Sequence, residues 1–278
     1  MILTDELYEK FTKLIYKETG LYYDFNKKYF VQKRIERRAE LLELESLSEY
    51  LIMLKITPDS SEWVQLINDL TVNETYFFRD FPQLRNFAED VLPMVVNNKL
   101  RKQKSKKLKV WCAACSTGEE AYTLSIILQE MLDNFDQWDV QIIASDINTK
   151  VLQQARAGLY ESRSVRDVPP EYLEKYFTQR QDRYLIRGNA RKPITFKQIN
   201  LMDGAEMSKI RGCDFIFCRN CLIYFDDESR KKVVSNFYEA LLPEGFLFLG
   251  HSESVGRISS AYKVQRIGDS IVYSRPNC

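Results

Sequence analysis

From residue 108 onward, short apolar runs alternate with amphipathic stretches. "LKVWCAA" precedes "TGEEAYTLSIILQEML", "VQIIASD" precedes "NTKVLQQARAGLY", and "CDFIFCRN" precedes "DDESRKKVVSNFYEALLPEG". "FLFLG" and "DSIVYS" then read as closing strands, with Pro243 and Gly245 ending the last helix. Apolar runs of this length are strands buried on both faces, and parallel neighbours need a crossover that a helix supplies. The alternation predicts an α/β fold, a mostly parallel sheet with helices on both faces. Residues 159–197 break the rhythm: "RYLIRG" and "PITFKQI" have strand character amid charged loops. They predict a small inserted β subdomain before the next core strand.

Residues 4–55 carry the helical period instead. Leu7, Phe11, Leu14 and Ile15 share one stripe, with Gly20 as the stop. Val31, Ile35 and Leu42 share a second, while Lys27, Lys28, Lys33, Arg34, Arg37 and Arg38 cover much of the remaining surface. Pro58 interrupts the pattern and "SEWVQLINDL" resumes it. The reading is a small all-helical domain over 1–70, a linker and lead-in helix over 71–107, and the sheet domain over 108–278. The run "KLRKQKSKKLK" at 99–109 holds seven Lys or Arg and reads as a solvated link. It lacks the interleaved aromatics of a nucleic-acid platform.

A formal net charge of +1 gives the whole chain no electrostatic address, so any field it uses is local. No stretch approaches the roughly 18 apolar residues that span a bilayer. "MILTDELYEK" is acidic at once and has no apolar signal core, which argues against secretion. The six cysteines sit in apolar surroundings rather than in a disulfide framework, as reduced thiols in a cytoplasm would.

The turn "AACSTGEE" lies where the first strand ends, the place where open α/β sheets bind ligands. Gly118 can take backbone angles that other residues avoid, and it lets a ligand approach the chain. Ser116 and Thr117 are placed to cap the next helix. The turn lacks the three spaced glycines that seat a pyrophosphate on a helix N-terminus. Glu119 and Glu120 would repel a phosphate, whereas one of them could pair with a cation. A phosphate-free nucleoside with a cationic amino-acid end, S-adenosylmethionine, fits. Asp146 ends the next strand, 28 positions after Gly118, where an acid can accept ribose hydroxyls. The same position could instead cap "INTKVLQQA", and Glu119 could simply favour a first helical turn.

Two C-x2-C pairs, Cys112 with Cys115 and Cys218 with Cys221, would signal zinc if they converged. Their places beside apolar strand residues suit small core fillers better, so no metal is expected.

Taken in order, "VNETYFFRD", "AACSTGEEAY", "ASDINTKVLQQARAGLY", "FCRNCLIYF" and "LLPEGFLFLGHSES" resemble the CheR family of chemotaxis-receptor methyltransferases. The resemblance spans nearly the whole chain, including the helical start and the β insertion. It implies a Rossmann-like class I methyltransferase that uses S-adenosylmethionine, releases S-adenosylhomocysteine and methylates receptor glutamates. By the same resemblance Asn73, Thr75 and Arg79 reach the cofactor from the linker, and Glu119 meets its methionine end. Asp146 binds ribose, Asn200 and Leu201 border adenine, Arg219 and Asn220 make later contacts, and Tyr224 lies near the transferred methyl. Departures from the family pattern are Ala114 for a glycine, Ala121 for a proline and Asn148 for an aspartate.

A glutamate side chain, with a reference pKa near 4.3, is already ionised at neutral pH and needs no base. Direct in-line transfer is expected, with Arg79, Arg219 and Tyr224 as the catalytic set. Arg79 or Arg219 would position a carboxylate by a forked contact, although Arg79 could instead pair locally with Asp80. His251, the only histidine, is left as a structural cap. The expected partner is an acidic receptor cytoplasmic region, docked by the basic helix Lys27–Arg38 and the β subdomain. The expected setting is a cytoplasmic monomer, transiently at receptor arrays on the inner face of the membrane, without membrane insertion or nucleic acid. The alternatives are a non-catalytic cofactor-binding or scaffolding module, and an enzyme of this fold acting on nucleic acid or a small molecule.

Overall fold

The computed structural model describes residues 1–278 apart from 58, 59, 104, 257 and 278 and the side chains of 102 and 103. The break read at Pro58, one lysine of the basic run at 104, and Cys278 therefore lie outside the described residues.

Helix α1 (Asp5–Thr19) begins where Thr4 Oγ1 accepts the Leu7 N–H and ends on Gly20 at φ 72°. Its core face is Tyr8, Phe11, Ile15 and Thr19, so Leu7 and Leu14 flank the stripe rather than form it. Helix α2 (Lys28–Leu41) buries Val31, Ile35 and Ala39. Leu42 was expected on that face; it falls past the last turn and is 36% exposed, because the step from Ile35 continues to Ala39. Helices α3 (Leu47–Ile56) and α4 (Ser61–Leu70) complete the domain. Arg38 of α2 makes a forked contact with Glu62, which also accepts the Tyr50 hydroxyl at 2.6 Å. Arg34 lies 3.5 Å over the Phe30 ring and donates to the Asp69 carbonyl. Two of the six cations read on this segment are thus structural, and Lys27 lies just before the helix.

The chain continues through α5 (Phe81–Asn86) and α6 (Leu92–Asn98) into β1 (Lys107–Ala113), α7 (Glu119–Met131), β2 (Asp139–Asp146) and α8 (Thr149–Ala157). The insertion follows as β3 (Leu159–Glu161), α9 (Pro170–Tyr176), β4 (Phe177–Arg180) and β5 (Arg183–Ile186). After α10 (Gly188–Arg191) come β6 (Ile194–Gln198), α11 (Gly204–Ser208), β7 (Cys213–Cys218), α12 (Asp227–Ala240), β8 (Leu241–Leu249), β9 (Lys263–Ile267) and β10 (Ser270–Ser274). The main sheet has seven strands in the order β6-β2-β1-β7-β8-β10-β9. The five strands from β6 to β8 are mutually parallel, and β10 is antiparallel to both its neighbours. A separate antiparallel sheet, β3-β5-β4, is the expected insertion.

Alternate β1 residues serve opposite faces. Cys112 joins a cluster with Phe87, Phe215, Phe217 and Phe248, and the Phe217 and Phe248 rings stack at 4.4 Å. Trp111 joins the other cluster, edge-on to Phe237 at 5.1 Å. Burial on both sides is what makes these strands read as continuous apolar runs.

Three expectations need correction. "PITFKQI" was placed in the insertion, but β6 is the edge of the main sheet, pairing Ile194 with Ile142 of β2. A half-exposed edge strand has no continuous apolar signature to separate it from the loops before it. The last helix ends at Ala240, and Pro243 and Gly245 lie inside β8 rather than ending the helix. Their stretch faces a register shift between Cys213 and Phe215, where ladder pairing is interrupted. The basic run is not wholly solvated: Lys99 is buried and its Nζ lies 2.8 Å from Asp214 Oδ1. Strand β9, a charged edge, was not anticipated.

Candidate active site

Strand order reverses between β1 and β7, since the chain leaves β1 toward β2 on one side and returns to β7 on the other. At the carboxyl ends of these strands lies a cavity of about 460 Å³, within the range typical of small-molecule sites. One wall is the sheet and its turns. The other is the helical domain, which contributes Leu21, Tyr22, Tyr23, Lys27 and Phe30. The domains are joined beside it: Leu21 bridges Phe225, and Tyr22 N donates to Tyr224 O at 2.9 Å. The backbone around the cavity is unusually bent. Phe78, Asp80, Ala114, Ser116 and Asn220 have φ between 49° and 61°, and Gly118 has 93°. Such angles cost non-glycine residues about 1–3 kcal/mol each and concentrate at sites that need a fixed backbone path. A Cβ on Gly118 would lie 2.9 Å from that of Ala155, so packing as well as φ selects glycine there.

Asp146 lines the cavity and is 7% exposed. Its Oδ2 accepts Ser116 N at 2.8 Å and its Oδ1 accepts Asn148 N at 2.9 Å. A carboxylate has about four acceptor sites, so capacity remains for a ligand hydroxyl. Burial raises its pKa, against which the backbone donors work. Asn148, not Asp146, caps α8, accepting Lys150 N and Val151 N. The capping alternative for Asp146 therefore falls away.

The two glutamates after Gly118 part company. Glu119 was expected to face the ligand. It is not among the lining residues; it is 3% exposed and accepts Ser164 Oγ–H at 2.5 Å and Thr117 Oγ–H at 2.6 Å. Desolvation raises its pKa, opposed by these hydroxyls. Glu120 lines the cavity instead, accepting Arg219 Nη1 at 3.0 Å and the Cys112 thiol at 3.1 Å. Nor do Ser116 and Thr117 cap α7. Gly118 is its N-cap, and Ser116 Oγ donates to Asn73 O at 2.9 Å.

Arg219 also lines the cavity, but its guanidinium is taken. Nη2 donates to Arg79 O at 2.7 Å and lies 3.2 Å from Asp80 Oδ2, while Nε is buried without a hydrogen-bond partner among the described residues. Two carboxylates around one guanidinium leave an excess of negative charge beside the cavity. Asp80 also holds His251 Nε2 at 2.7 Å, so the local Arg79–Asp80 pair does not form. Arg79 donates to Glu74 O and lies 5.8 Å from the Tyr76 ring centroid, with no carboxylate partner among the described residues.

Asn73, Thr75, Arg79, Asn200, Leu201, Asn220 and Tyr224 all line the same cavity. Asn200 Nδ2 donates to Glu18 O at 2.7 Å, fastening the end of α1. Tyr224 is half-buried, its pKa raised by desolvation. Sequence reasoning missed three contributors. Glu120 was read as one of two carboxylates that could meet a cation, and the contact was given to Glu119. Asp80 was read only as a partner for Arg79. Glu253 accepts the N–H groups of Asn220, Cys221 and Gly250, tying the turn after β7 to the turn after β8. The motif "GHSES" holds Glu253, but nothing in its spacing points across the sheet.

Among the described residues there is no group of three or more His, Cys, Asp or Glu that could hold a metal ion. The sheet itself keeps the cysteine pairs apart. Cys112 and Cys115 belong to one face cluster, and Cys218 and its neighbour Cys221 to the other. No described helix is long and apolar enough to cross a membrane.

These residues fit S-adenosylmethionine: a carboxylate at the second strand tip for ribose, excess negative charge for a cationic end, and an apolar border at Leu201. Comparison with known proteins agrees. Residues 6–71 match the family model described as "CheR methyltransferase, all-alpha domain", and residues 73–269 match "CheR methyltransferase, SAM binding domain". The chain is 42% identical over 278 residues to "Chemotaxis protein methyltransferase 2" of Vibrio cholerae serotype O1, covering 100% of this chain and 95% of that one. It is 32% identical over 274 residues to the chemotaxis protein methyltransferase of Escherichia coli, covering 95% and 90%. Among solved structures it is similar to the rRNA methyltransferase aviRa from Streptomyces viridochromogenes, with 15% identity, a TM-score of 0.41, and 68% and 83% of the two chains covered. With an all-helical domain, a mostly parallel sheet and a cavity suited to this cofactor, and with both family models matched in order, the chain belongs to the CheR methyltransferase family and is an S-adenosylmethionine-dependent methyltransferase.

Proposed function

We propose that this chain methylates glutamate side chains in the cytoplasmic region of a chemotaxis receptor, forming methyl esters. The observation that carries the reading is the meeting of Asp146, Arg79 and Tyr224 at one cavity. A carboxylate nucleophile is already ionised at neutral pH and needs no base. The names of the relatives in Vibrio cholerae and Escherichia coli support the pathway.

Bound S-adenosylmethionine supplies an electrophilic methyl on a sulfonium centre. Asp146 accepts hydrogen bonds from the ribose, and Leu201 and Asn200 border the base. Glu120, held by Arg219, favours the cationic end of the methionine portion. This replaces the role first given to Glu119 and makes Arg219 a positioning residue. Arg79, with no carboxylate of its own among the described residues, orients the incoming glutamate carboxylate. The contact has to be loose, because the carboxylate loses charge as the ester forms and a tight ion pair would favour the ground state. Tyr224 orients by its hydroxyl, and Tyr22, Tyr23 and Phe30 limit water at the reacting centre. On α2, Lys33 and Arg37 are exposed, as is Lys27 just before it, and they steer the encounter with an acidic helical receptor. The β subdomain offers a further grip, and the reaction takes place in the cytoplasm at receptor arrays.

Incubation with methyl-labelled S-adenosylmethionine and a receptor cytoplasmic fragment tests the proposal. The expected product is a base-labile label on receptor glutamates. Label on RNA, DNA or a small molecule alone, or cofactor binding without any transfer, would overturn it.

A further inference from the structure

Asp80 is the N-cap residue of α5, yet its side chain makes no capping bond. An aspartate in that place ordinarily turns its carboxylate onto the first helical N–H groups. Here the backbone sits at φ 61° and the carboxylate serves two other segments. Oδ1 lies 2.7 Å from Nε2 of His251, in the turn after β8, and Oδ2 lies 3.2 Å from Nη2 of Arg219, just after β7. An ionised carboxylate only accepts, so His251 carries its proton on Nε2 in this contact. Arg219 Nη1 in turn meets Glu120 Oε2 at 3.0 Å, and Arg219 and Glu120 line the cavity while Asp80 does not. Asp80 therefore reaches the site only through Arg219. The side chains of Arg219, Asp80 and Glu120 are 3%, 12% and 16% exposed. One cation between two carboxylates leaves a surplus negative charge, and burial keeps salt and water from screening it.

We propose that Asp80 is a positioning residue that biases the site toward the cationic donor and away from its spent product. S-adenosylmethionine and S-adenosylhomocysteine share the adenosine and the amino-acid end. They differ by the methyl group and by the positive charge on sulfur. Contacts to the shared parts hold both alike, so any bias beyond the methyl's own contacts comes from a term that only the charged sulfur feels. Without Asp80, Arg219 and Glu120 cancel and this cluster has no surplus charge. With Asp80, the guanidinium is divided between two carboxylates, and Glu120 keeps part of its charge for the ligand. After transfer the sulfur is neutral, that attraction is gone, and the product leaves more readily. His251 holds Asp80 against Arg219 from the solvent side. The inference deepens the cavity reading above and rests on Glu120 facing the cationic end of the donor.

Calorimetry on the full chain, with both ligands, compares the wild type with Asp80→Asn. Asparagine takes positive φ and N-cap positions as readily as aspartate, so this variant removes the charge and keeps the backbone. S-adenosylmethionine affinity should fall about tenfold, equivalent to about 1.4 kcal/mol, and S-adenosylhomocysteine affinity about twofold or less. A purely structural role would weaken both alike, so the ratio of the two affinities carries the test. The His251 side chain is 70% exposed and tolerates replacement, which provides a second arm if Asp80→Asn does not fold. His251→Lys sets a permanent cation beside Asp80 and should move the ratio the same way, by about threefold. His251→Gln can still donate to Asp80 and should keep the ratio near that of the wild type. Equal losses for both ligands, or a ratio unchanged in Asp80→Asn or in His251→Lys, would overturn the inference. A wild-type chain that binds neither ligand would overturn the cavity reading as well.

Discussion

Glu119 is a carboxylate held between two hydroxyls in a site that excludes water, and its pKa is raised by that burial. With the folded pKa above the unfolded one, the native state binds the proton more tightly. Stability is therefore lost as pH climbs through the unfolded value toward the folded one. Gln can keep both side-chain contacts without the charge. Glu119→Gln should raise the melting temperature at neutral pH, the gain shrinking toward acid, with S-adenosylhomocysteine affinity little changed. A large loss of affinity in calorimetry would restore the role that sequence alone assigned to Glu119. Asp146→Ala should do the opposite, weakening that affinity by about tenfold or more, as expected when hydrogen bonds to a charged group worth about 1.5–3 kcal/mol are lost. Unchanged affinity would remove its ribose role. Sequence placed both acids at the turns, but neighbouring positions on a helix point about 100° apart, and which glutamate meets the cavity depends on the angle at which α7 leaves Gly118.

At the scale of elements, the turn after β1 explains a departure that looked innocuous. Ala114 has φ 57°, an angle glycine takes freely and alanine takes at a cost, so the glycine common in the family answers a backbone demand. Its place in the motif was legible; the sign of φ was not, because dihedral angles leave no trace in composition. Helix α2 shows a similar gap. Six cations read as one docking face, yet Arg38 is committed to Glu62, Arg34 to Phe30 and Asp69, and Lys28 to Asp5 at 2.5 Å. Charge reversal at the two solvent-facing positions, Lys33→Glu with Arg37→Glu, should slow methyl transfer to the receptor fragment, chiefly through KM. The effect should shrink at high salt, where exposed charges are screened over about 8–10 Å or less. Equal rates at low salt would show that this face is only solvated.

At the scale of the molecule, the helical domain is one wall of the cavity rather than an appendage. Asn200 fastens Glu18, Tyr16 donates to Asp226 at 3.0 Å, and Asn148 donates to the Asn68 carbonyl at 3.1 Å, all across the domain boundary. Saturating S-adenosylhomocysteine should therefore raise one cooperative melting transition, by about 2.7 kcal/mol at a hundred times Kd. It should also slow amide exchange at residues 21–24 as well as at 114–118. Two separate transitions, with only the sheet domain shifted, would show that the domains bind independently. The sequence by itself determined the helical and α/β halves, because hydrophobic period is local and survives in any window of the chain. It also placed Gly118 at a turn and Asp146 at a strand end, where residue type and spacing carry the signal. Only the tertiary structure decided that Glu120 rather than Glu119 faces the cavity, that β6 joins the main sheet, and that Glu253 ties two turns together. Each of those depends on a direction or a contact between distant segments, which packing sets and no local pattern encodes.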